Sequence, residues 1–565
     1  TAGHTSLSAA RSVVQNANIT ATGTGTIDVS AGTAISMADG ASSSTGTGNI
    51  RYAAVSTLTL GALSTAGDVS LSASSIADAG AAGTDSVNVT ADELRLVTTG
   101  VASGNGVGTG ANHLEVNVTR LAGNIQGTGT GGLYVSESNG LEVGTLNAIN
   151  VNQVGVDGFV TATTDAAQSN LSSASNLVLV TLAGSLESMS AGGAISTAGN
   201  VLLQAVGATS DITLGAALSN TAGHTSLSAA RSVVQNANIT ATGTGKTVDL
   251  LADASITMGA GAIIGTQDGS VVLTAGSGNV TLESITAGSA NVAVTAGGSI
   301  VDRDTAGDSV VDIAAAGLIL NAGTGIGEGA NHLETSVSTL TANAGAGGLY
   351  ITEANGVTVN SLTVAINRVA TDASVPGTGS GSATVTQEDL SATGAGNLVL
   401  VSALVCYRLE HSRIGRAWMA VRDMDIAAEL MGIKLLNAKL LAFAVSSFYA
   451  GVAGAMMIFL WYGGGEAADA FSIRLSFNIL FMVIIGGLGS LLGSFLGAAF
   501  IVLMPILLNQ LPGWFGIKMS TALLSHLEFM VFGAMIVFFL IVEPHGLARL
   551  WSVGKEKLRL WPFPH

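Results

Sequence analysis

The first 401 residues are nearly free of aromatic and cationic side chains, and the whole chain has a single cysteine. That residue, Cys406, excludes a disulfide framework, and no Cys/His spacing typical of a zinc site occurs. Residues 1–401 contain four aromatic residues, and eight Lys and Arg against 28 Asp and Glu, a net charge of −20. Nucleic-acid binding needs a basic surface, so this composition argues against it.

Residues 402–565 have the opposite composition. They hold 22 aromatic residues, all five Trp and ten of the 13 Met, and their twelve Lys and Arg against nine Asp and Glu give a net charge of +3. The two charges sum to the −17 of the whole chain. Composition changes between Val401 and Ser402, so the averages of the chain describe neither part, and the two parts are interpreted separately.

A long internal duplication organises residues 1–401. The segment TAGHTSLSAARSVVQNANITATGTG at 1–25 recurs unchanged at 221–245, and GANHLE at 110–115 returns at 329–334. Matching segments are offset by 216 to 221 residues, which defines two copies of about 220 residues.

Short alternating runs recur inside each copy, for example VVLTAG at 271–276 and VAVTAG at 292–297. Alternation with β-branched residues between Gly-rich corners predicts half-buried strands. The spacing suits a β-sandwich or a solenoid. The long repeat and the shortage of aromatics and Pro favour a parallel β-solenoid (β-helix), because its coils stack small and β-branched residues in a narrow core.

The rung NVAVTAGGSIV at 291–301 is typical of this part, which resembles the repeat regions of filamentous-haemagglutinin-like bacterial adhesins. The resemblance implies a right-handed β-helix of a secreted or cell-surface protein. The acidic excess fits a solvated surface. Calcium binding is the alternative, but the Gly-Gly-x-Gly-x-Asp repeats that would support it do not occur. The repeated histidines are isolated among small polar residues, so no metal site is predicted at His4, His113, His224 or His332.

Residues 402–565 predict an all-α polytopic membrane bundle of about four transmembrane helices. A basic segment at 408–437 precedes four apolar spans that approach or exceed the ~20 residues needed to cross a bilayer. The predicted spans are ~438–462, ~471–487, ~491–508 and 521–542. Four crossings place the basic segment and the basic tail on the same side, which the positive-inside rule makes cytoplasmic.

Small residues and one acid mark these spans. Gly493-x-x-x-Gly497 has the spacing that allows close helix packing, and we expect the span glycines to be packing residues, with a bend or pore role of the 486–489 turn as the alternative. Glu528 is the lone acid of the last span and is either functional or close enough to the interface to reach it. The predicted packing and turn glycines are Gly451, Gly454, Gly486, Gly487, Gly489, Gly493 and Gly497.

An ordered series of motifs covers this part: SRIGRAWMAVRDMDIAAELMGI at 412–433, KLLAFAVSSFYAGVAGA at 439–455, GGLGSLLGSFLGA at 486–498 and EPHGLARL at 543–550. Residues 402–565 thereby resemble branched-chain amino acid ABC importer permeases of the LivM type. The resemblance implies an inner-membrane subunit that works with a partner permease subunit, two cytoplasmic ATPase subunits and a periplasmic binding protein. The chain has no P-loop. We therefore expect a protein that is not an enzyme and binds no cofactor, with ATP hydrolysed by a partner.

Permeases of this class carry a Glu-Ala-Ala-x-x-x-Gly loop that docks into the ATPase. The matching positions here are Ile426, Ala427, Ala428 and Gly432, so Ile replaces the Glu. Small side chains would let the helix enter a groove and Gly would end it. Charged neighbours either pair across that contact or face solvent. The predicted ATPase-coupling residues are Arg416, Arg422, Asp423, Ala427, Ala428, Glu429 and Gly432.

The join predicts a chimera of two incomplete proteins. The apolar run before the coupling loop covers only 398–409, about twelve residues, whereas a crossing helix needs ~20. NLVLV at 397–401 still belongs to the repeat, because it matches 176–180. We expect a permease fragment that does not transport alone, joined to an adhesin-like repeat. The alternative is a surface adhesin or structural β-helix protein with a membrane-embedded tail.

Overall fold

A computed structural model describes residues 3–81, 86–304, 310–375 and 382–392, and in the remainder 416–418, 420, 421, 424, 428, 429, 431, 434–457 and scattered residues between 480 and 555. The chain divides into two compact units, Thr1–Ala403 and Leu404–His565.

The first unit is a β-solenoid of about 15 turns, as the sequence predicts. Its main sheet contains 41 strands among the described residues, and every strand pair given for it is parallel, from Thr5↔Ile27 to Ala344↔Ala392. Partner strands lie one turn apart along the chain, so the strands form three ladders around a common core.

The strands of the first ladder are Thr5–Ala9, Ile27–Ala31, Ile50–Ala54, Val69–Ala73, the later parts of Val89–Thr98 and Leu114–Ile125, then Leu171–Ser173, Ile195–Thr197, Leu218–Asn220, Ile239–Ala241, Ile263–Thr266, Ser284–Thr286, the early parts of Ile313–Ala322 and Leu333–Ala344, and Ile351–Glu353. The strands of the second are Val13–Gln15, Ile35–Met37, Thr57–Leu60, Ser75–Asp78, Gly106–Val107, Gly132–Glu137, Asn176–Thr181, Val201–Ala205, Thr225–Ala229, Val248–Ala252, Val271–Ala275, Asn291–Ala296, the later parts of Ile313–Ala322 and Leu333–Ala344, Thr358–Val359 and Leu390–Ala392. The strands of the third are Ile19–Thr20, Ser42–Ser44, Ala62–Ser64 and the early parts of Val89–Thr98 and Leu114–Ile125, the last of which also pairs with the end of Gly132–Glu137. The third ladder continues from Leu141–Val143, which pairs with Arg120 and Leu121 in the later half of Leu114–Ile125. Its further strands are Leu186–Ser188, Ile212–Leu214, Val233–Gln235, Ile256–Met258, Val280–Leu282, Ile300–Asp302, Gly325–Ile326 and Gly348–Leu349.

Alternation along the strands builds the core. In Ile27–Ala31, Ile27 and Val29 are completely buried, and their ladder partners Ile50 and Tyr52 are buried as well. Stacking of apolar side chains on the equivalent positions of the next coil repeats along the unit and gives one continuous core. Each fully buried aliphatic side chain contributes about 1.5–3 kcal/mol to the free energy of folding, relative to an exposed one.

Glycine at the corners lets neighbouring coils approach closely. A Cβ added to Gly223 would lie 1.9 Å from the carbonyl oxygen of Gly199 on the preceding coil. Because that neighbour is backbone, no side-chain rotation could relieve the clash. Gly265, in contrast, has no atom within 4 Å of such a Cβ.

Two antiparallel hairpins leave the solenoid, one in each copy. The first pairs Ile149–Val154 with Val160–Asp165, and the second pairs Leu362–Asn367 with Ser382–Gln387. Each first strand crosses the outside of earlier coils. Val364 and Ile366, for instance, are buried against Val272, Ala293 and Ile319.

In the second unit, the longest described helix is α1, Leu435–Met457. Shorter helical runs include 416–418, 420–421 and 428–429, and further helical residues lie between 480 and 555. In the part of the chain that the structure describes, no helix meets both the length and the apolarity needed to cross a bilayer. The four-helix membrane bundle therefore stays a prediction.

Candidate functional site

The predicted ATPase-coupling segment is partly described. The amide of Met424 donates to the carbonyl of Ala420 at 3.0 Å, and the amide of Ala428 donates to the carbonyl of Met424 at 3.0 Å, each with the four-residue spacing of an α-helical hydrogen bond. Ala428 is completely buried, whereas Glu429 and Arg416 are exposed. The other predicted coupling residues, Arg422, Asp423, Ala427 and Gly432, lie outside the described residues.

The predicted glycines and the intramembrane acid are described only in part. Gly451 and Gly454 lie in α1, which begins three residues before the predicted first span. The structure does not describe Gly486, Gly487, Gly489, Gly493, Gly497 or Glu528. Close to this glycine run, Ile485 and Ile501 are buried against each other, with Phe481, Met482, Phe500 and Met504 around them. These residues belong to the second and third predicted spans.

The first hairpin is fixed to the first two coils by polar contacts. The Asn152 amide donates to Thr26 Oγ1 at 2.9 Å, Thr26 Oγ1 donates back to the Asn152 carbonyl at 3.3 Å, and the Asn152 side chain lies 3.2 Å from His4 Nε2. The Val154 amide donates to Ser6 Oγ at 2.8 Å. The sequence separations exceed 120 residues, so the hairpin ties distant coils together.

The second hairpin repeats this arrangement on the second copy. The Asn367 amide donates to Thr247 Oγ1 at 3.1 Å, the Asn367 side chain lies 3.5 Å from His224 Nε2, and the Val369 amide donates to Ser226 Oγ at 3.0 Å. Burial, with Lys246 nearby, lowers the pKa of His224 to about 4, so its ring is neutral at pH 7. We call these two contact sets the hairpin clasps.

The clasps differ in how they compensate a buried aspartate. Asp28 is fully buried and pairs with Arg51 of the next coil at 3.0 Å, while Gln153 of the hairpin donates to it. Asp249 is equally buried, but its cation is Arg368 of the hairpin itself, at 2.6 Å. Burial raises the pKa of Asp249 and the Arg368 guanidinium opposes that rise. A cavity of about 130 Å³ lies beside this pair.

The four repeated histidines make structural contacts, and His4 and His224 belong to the hairpin clasps. His4 Nδ1 and His224 Nδ1 lie 3.0 and 2.9 Å from the hydroxyls of Thr26 and Thr247 on the next coil. His113 lies 2.8 Å from Ser136 Oγ, and its Nε2 lies 3.0 Å from the Thr371 carbonyl oxygen. His332 Nδ1 lies 3.0 Å from Thr352 Oγ1. Sequence reasoning treated these residues only as isolated surface histidines.

Three carboxylates meet in the second copy, where sequence reasoning expected no metal ligands. Oxygens of Asp302, Asp312 and Glu334 lie within 4.8 Å of one another. Burial raises the pKa of Asp312 to about 8, and the negative charges of Asp302 and Glu334 add to the rise. The hydrogen bond that Asp312 accepts from the Glu334 amide opposes it. Asp312 is therefore mainly protonated at pH 7.

The first copy has an amide at the equivalent position. Asn88 donates to Asp78 Oδ1 at 2.6 Å and accepts from the Glu115 amide at 2.9 Å. Asp312 accepts from the Glu334 amide in the same way, at 2.8 Å. Asn112 and Asn331 hold the equivalent aspartates, Asp78 and Asp302, at 2.9 and 2.7 Å. A protonated carboxyl can donate a hydrogen bond where an amide donates one. Protonated Asp312 can therefore take the place in the second copy that Asn88 has in the first.

Sequence signals could have located the first hairpin. Asp157-Gly158 lies between two valine-containing segments in which apolar and polar residues alternate, and Asp-Gly in that setting indicates the turn of a β-hairpin. The second hairpin carries Asp372 and Ala373 at the equivalent positions, which weakens the signal. Neither sequence shows which distant coil the hairpin contacts.

Comparison with known proteins agrees with the resemblance of the C-terminal part. Residues 314–542 match a family model described as "Branched-chain amino acid transport system / permease component". The match thus begins inside the strand Ile313–Ala322 of the solenoid and continues through most of the second unit.

Two curated relatives are similar over a shorter stretch. The high-affinity branched-chain amino acid transport system permease proteins LivM of Salmonella typhimurium and Escherichia coli are each 29% identical over 150 residues, which is 26% of this chain. The chain spans about a third of the length of these relatives, 32% in each case. No solved structure matches the chain. The C-terminal region therefore carries a branched-chain amino acid permease-like domain.

Proposed function

We propose that residues 402–565 are the C-terminal fragment of a permease subunit of a branched-chain amino acid ABC importer, joined to an adhesin-like β-solenoid. The observation that carries the proposal is the apolar face of α1. Leu436, Leu440 and Phe443 follow each other at intervals of four and three residues, which puts them on one helix face. Their side chains are 71%, 58% and 73% exposed.

Such a face is unfavourable in water but not in lipid. Contiguous exposed apolar surface on a helix marks a contact with a membrane or another protein. The similarity of this region to permeases favours lipid and neighbouring transmembrane helices as that environment. The contact between Ile485 and Ile501 supports packing of the second predicted span against the third.

The segment around Ala428 is the proposed contact with the ATPase subunits. Glu429 and Arg416 in this segment are exposed, whereas Ala428 is buried within the chain. Exposed charged side chains can pair with opposite charges across such a contact. A partner permease subunit and a periplasmic binding protein would complete the importer in the inner membrane, and ATP would be hydrolysed outside this chain.

Association and uptake test the proposal together. The full chain is co-expressed with the ATPase subunits and binding protein of a branched-chain amino acid importer, extracted in detergent and isolated by a tag. We expect the ATPase subunits to co-purify, and Glu429→Arg, a charge reversal at an exposed residue of the segment, to abolish this. Glu187→Arg, at an exposed glutamate of the solenoid, is the matched control and should leave it intact.

We also expect no ATP-dependent leucine uptake above background, because the chain covers about a third of its permease relatives. Absence of ATPase association in the unaltered chain would contradict the permease proposal. Robust uptake would contradict the expectation that the fragment does not transport alone.

The solenoid supports a second candidate, a surface adhesin or structural β-helix protein with a membrane-embedded tail. Its approximately 15 turns share one continuous core, whose described residues all lie in the first unit. Protease treatment of intact cells distinguishes the two. Digestion of the solenoid from outside would favour the surface protein. Protection until the inner membrane is disrupted would favour the importer fragment, because no crossing is predicted between the solenoid and the cytoplasmic segment at 408–437.

A further inference from the structure

Gln15 is the centre of a buried polar network in the first copy of the solenoid. Its Oε1 accepts from the Tyr52 hydroxyl at 2.7 Å, and Ser43 Oγ lies 2.7 Å from the same hydroxyl. Its Nε2 donates to Ser43 Oγ at 3.0 Å and to the Ser42 carbonyl at 3.1 Å. The side chains of Gln15, Ser43 and Tyr52 belong to residues that are at most 5% exposed. Both ends of the Gln15 amide are therefore satisfied inside the core, as buried polar groups require.

Gln235 is the equivalent of Gln15 in the second copy, but the side chains around it differ. It lies in the segment that is identical at 1–25 and 221–245, so the glutamine itself is retained. The register of the ladders makes Ile264 the counterpart of Ser43 and Leu273 the counterpart of Tyr52. Both replacements are completely buried and aliphatic, so neither can donate a hydrogen bond.

The amide oxygen of Gln235 is therefore a buried acceptor without a donor. Gln235 is completely buried, and its Nε2 donates to the Ile263 carbonyl at 3.2 Å. In the part of the chain that the structure describes, no group donates to its Oε1. A buried acceptor without a donor loses its hydration and gains no bond in return, which destabilises the folded state. The coil that contains Gln235, residues 225–241, is thus less stable than its neighbours.

The second hairpin crosses coil 225–241 on the outside. The Val369 amide of the hairpin donates to Ser226 Oγ of this coil at 3.0 Å. Arg368 pairs with Asp249 of the following coil at 2.6 Å. Asn200 Nδ2 of the preceding coil donates to a carbonyl in the turn of the hairpin at 2.9 Å. The hairpin therefore bonds to three consecutive coils, and the coil with the unpaired acceptor is the middle one.

We propose that the second hairpin is a strap that holds coil 225–241 closed, and that this coil opens first when the strap detaches. The stability of a solenoid is approximately a sum over its coils and their interfaces, so one weak coil divides it into two cooperative blocks. Local opening occurs where its free energy is lowest. The second copy begins at residue 221, so the two blocks correspond closely to the two copies.

Hydrogen exchange with mass spectrometry on the detergent-solubilised full chain tests the weak coil. Gln235→Met replaces the unpaired acceptor with an apolar side chain of similar length and should slow exchange of the Val233–Gln235 peptide about ten-fold. Gln15→Met should accelerate exchange around Val13–Gln15, because it removes the acceptor of the Tyr52 hydroxyl. Gln267→Met, at an exposed glutamine, is the matched control and should change neither peptide. Unchanged or faster exchange in Gln235→Met would overturn the proposal.

A double variant tests the strap. Arg368→Gln leaves buried Asp249 without its cation and should accelerate exchange of the Val233–Gln235 peptide more than that of distant coils. This acceleration should be smaller in a Gln235→Met background, because the coil no longer opens first. Equal acceleration with and without Gln235→Met, or equal acceleration in all coils, would contradict the strap.

A second strap variant keeps the test decisive if Arg368→Gln folds poorly. Val369→Ala removes buried packing of the hairpin without leaving a charge unpaired, and should accelerate exchange of the Val233–Gln235 peptide in the same way. Gln153→Ala, in the first hairpin, should leave that peptide unchanged. Circular dichroism must show the same β-sheet signal in each variant.

Discussion

Replacement of Asp312 by Asn should remove a pH-dependent loss of folding stability from the second copy of the solenoid. Asp312 is 1% exposed, and burial next to Asp302 raises its pKa to about 8 from an ordinary value of 3.8. A carboxyl with a raised folded-state pKa contributes stability that is fully present below about pH 4. That stability is lost as the pH rises toward 8, because the unfolded chain releases the proton first.

The size of this effect follows from the shift. One pKa unit corresponds to about 1.4 kcal/mol, so the loss between about pH 4 and pH 7 amounts to about 4 kcal/mol. Asparagine has no proton to release and can donate to Asp302, as Asn88 donates to Asp78 in the first copy. The variant should therefore gain stability relative to the unaltered chain as the pH rises.

Hydrogen exchange with mass spectrometry provides the assay, in EDTA so that no cation is held by the carboxylates. Peptides covering Ile313–Ala322 and Leu333–Ala344 should exchange faster at pH 8 than at pH 5 after correction for intrinsic rates, and Asp312→Asn should suppress that difference. Peptides around Asn88 in the same molecule serve as an internal control, and Asn88→Asp should create the dependence there. A pH-independent difference between the variants would refute the reasoning.

Two further substitutions test the packing of the solenoid. Gly223→Ala should destabilise the coil by about 2 kcal/mol or more, because its Cβ would meet the Gly199 carbonyl, whereas Gly265→Ala should be neutral within about 1 kcal/mol; urea unfolding monitored by circular dichroism measures both. Arg368→Gln should lower the free energy of unfolding by about 3–5 kcal/mol, because it leaves buried Asp249 without its cation, and should make the second hairpin sensitive to limited proteolysis. Gln153→Ala leaves the Arg51–Asp28 pair in place and should lower the free energy of unfolding by only about 1 kcal/mol. Equal sensitivity of the two hairpins to proteolysis would contradict this assignment.

The strands were predictable because the residues of the solenoid core alternate with outward-facing residues within each short segment of sequence. In runs such as VVLTA at Val271–Ala275, every second residue points into the core and is apolar, and the neighbouring coil repeats the pattern in register. The hairpin clasps were not predictable to the same degree. They join Asn152 to Thr26 and Asn367 to Thr247 over more than 100 residues, and no local pattern encodes such a contact.

The duplication itself held information that sequence reasoning left unused. Asn88 and Asp312 occupy equivalent positions, so an alignment of the two copies shows the exchange of an amide for an acid. Only the structure shows that each faces an aspartate in the core. In the permease-like part, Ala428 is buried and Glu429 is exposed, and the ATPase-coupling role of these and the other predicted residues stays a prediction.

Cysteine accessibility in cells tests the central claim, that a membrane-embedded permease-like unit follows the solenoid. Single cysteines replace Ser412, Ala467, Trp514 and Ser552 in a Cys406→Ser background, and a membrane-impermeant maleimide is applied after the outer membrane is opened. Four crossings predict labelling at 467 and 514, and labelling at 412 and 552 only after the inner membrane is disrupted. Equal labelling at all four positions before disruption would contradict the account.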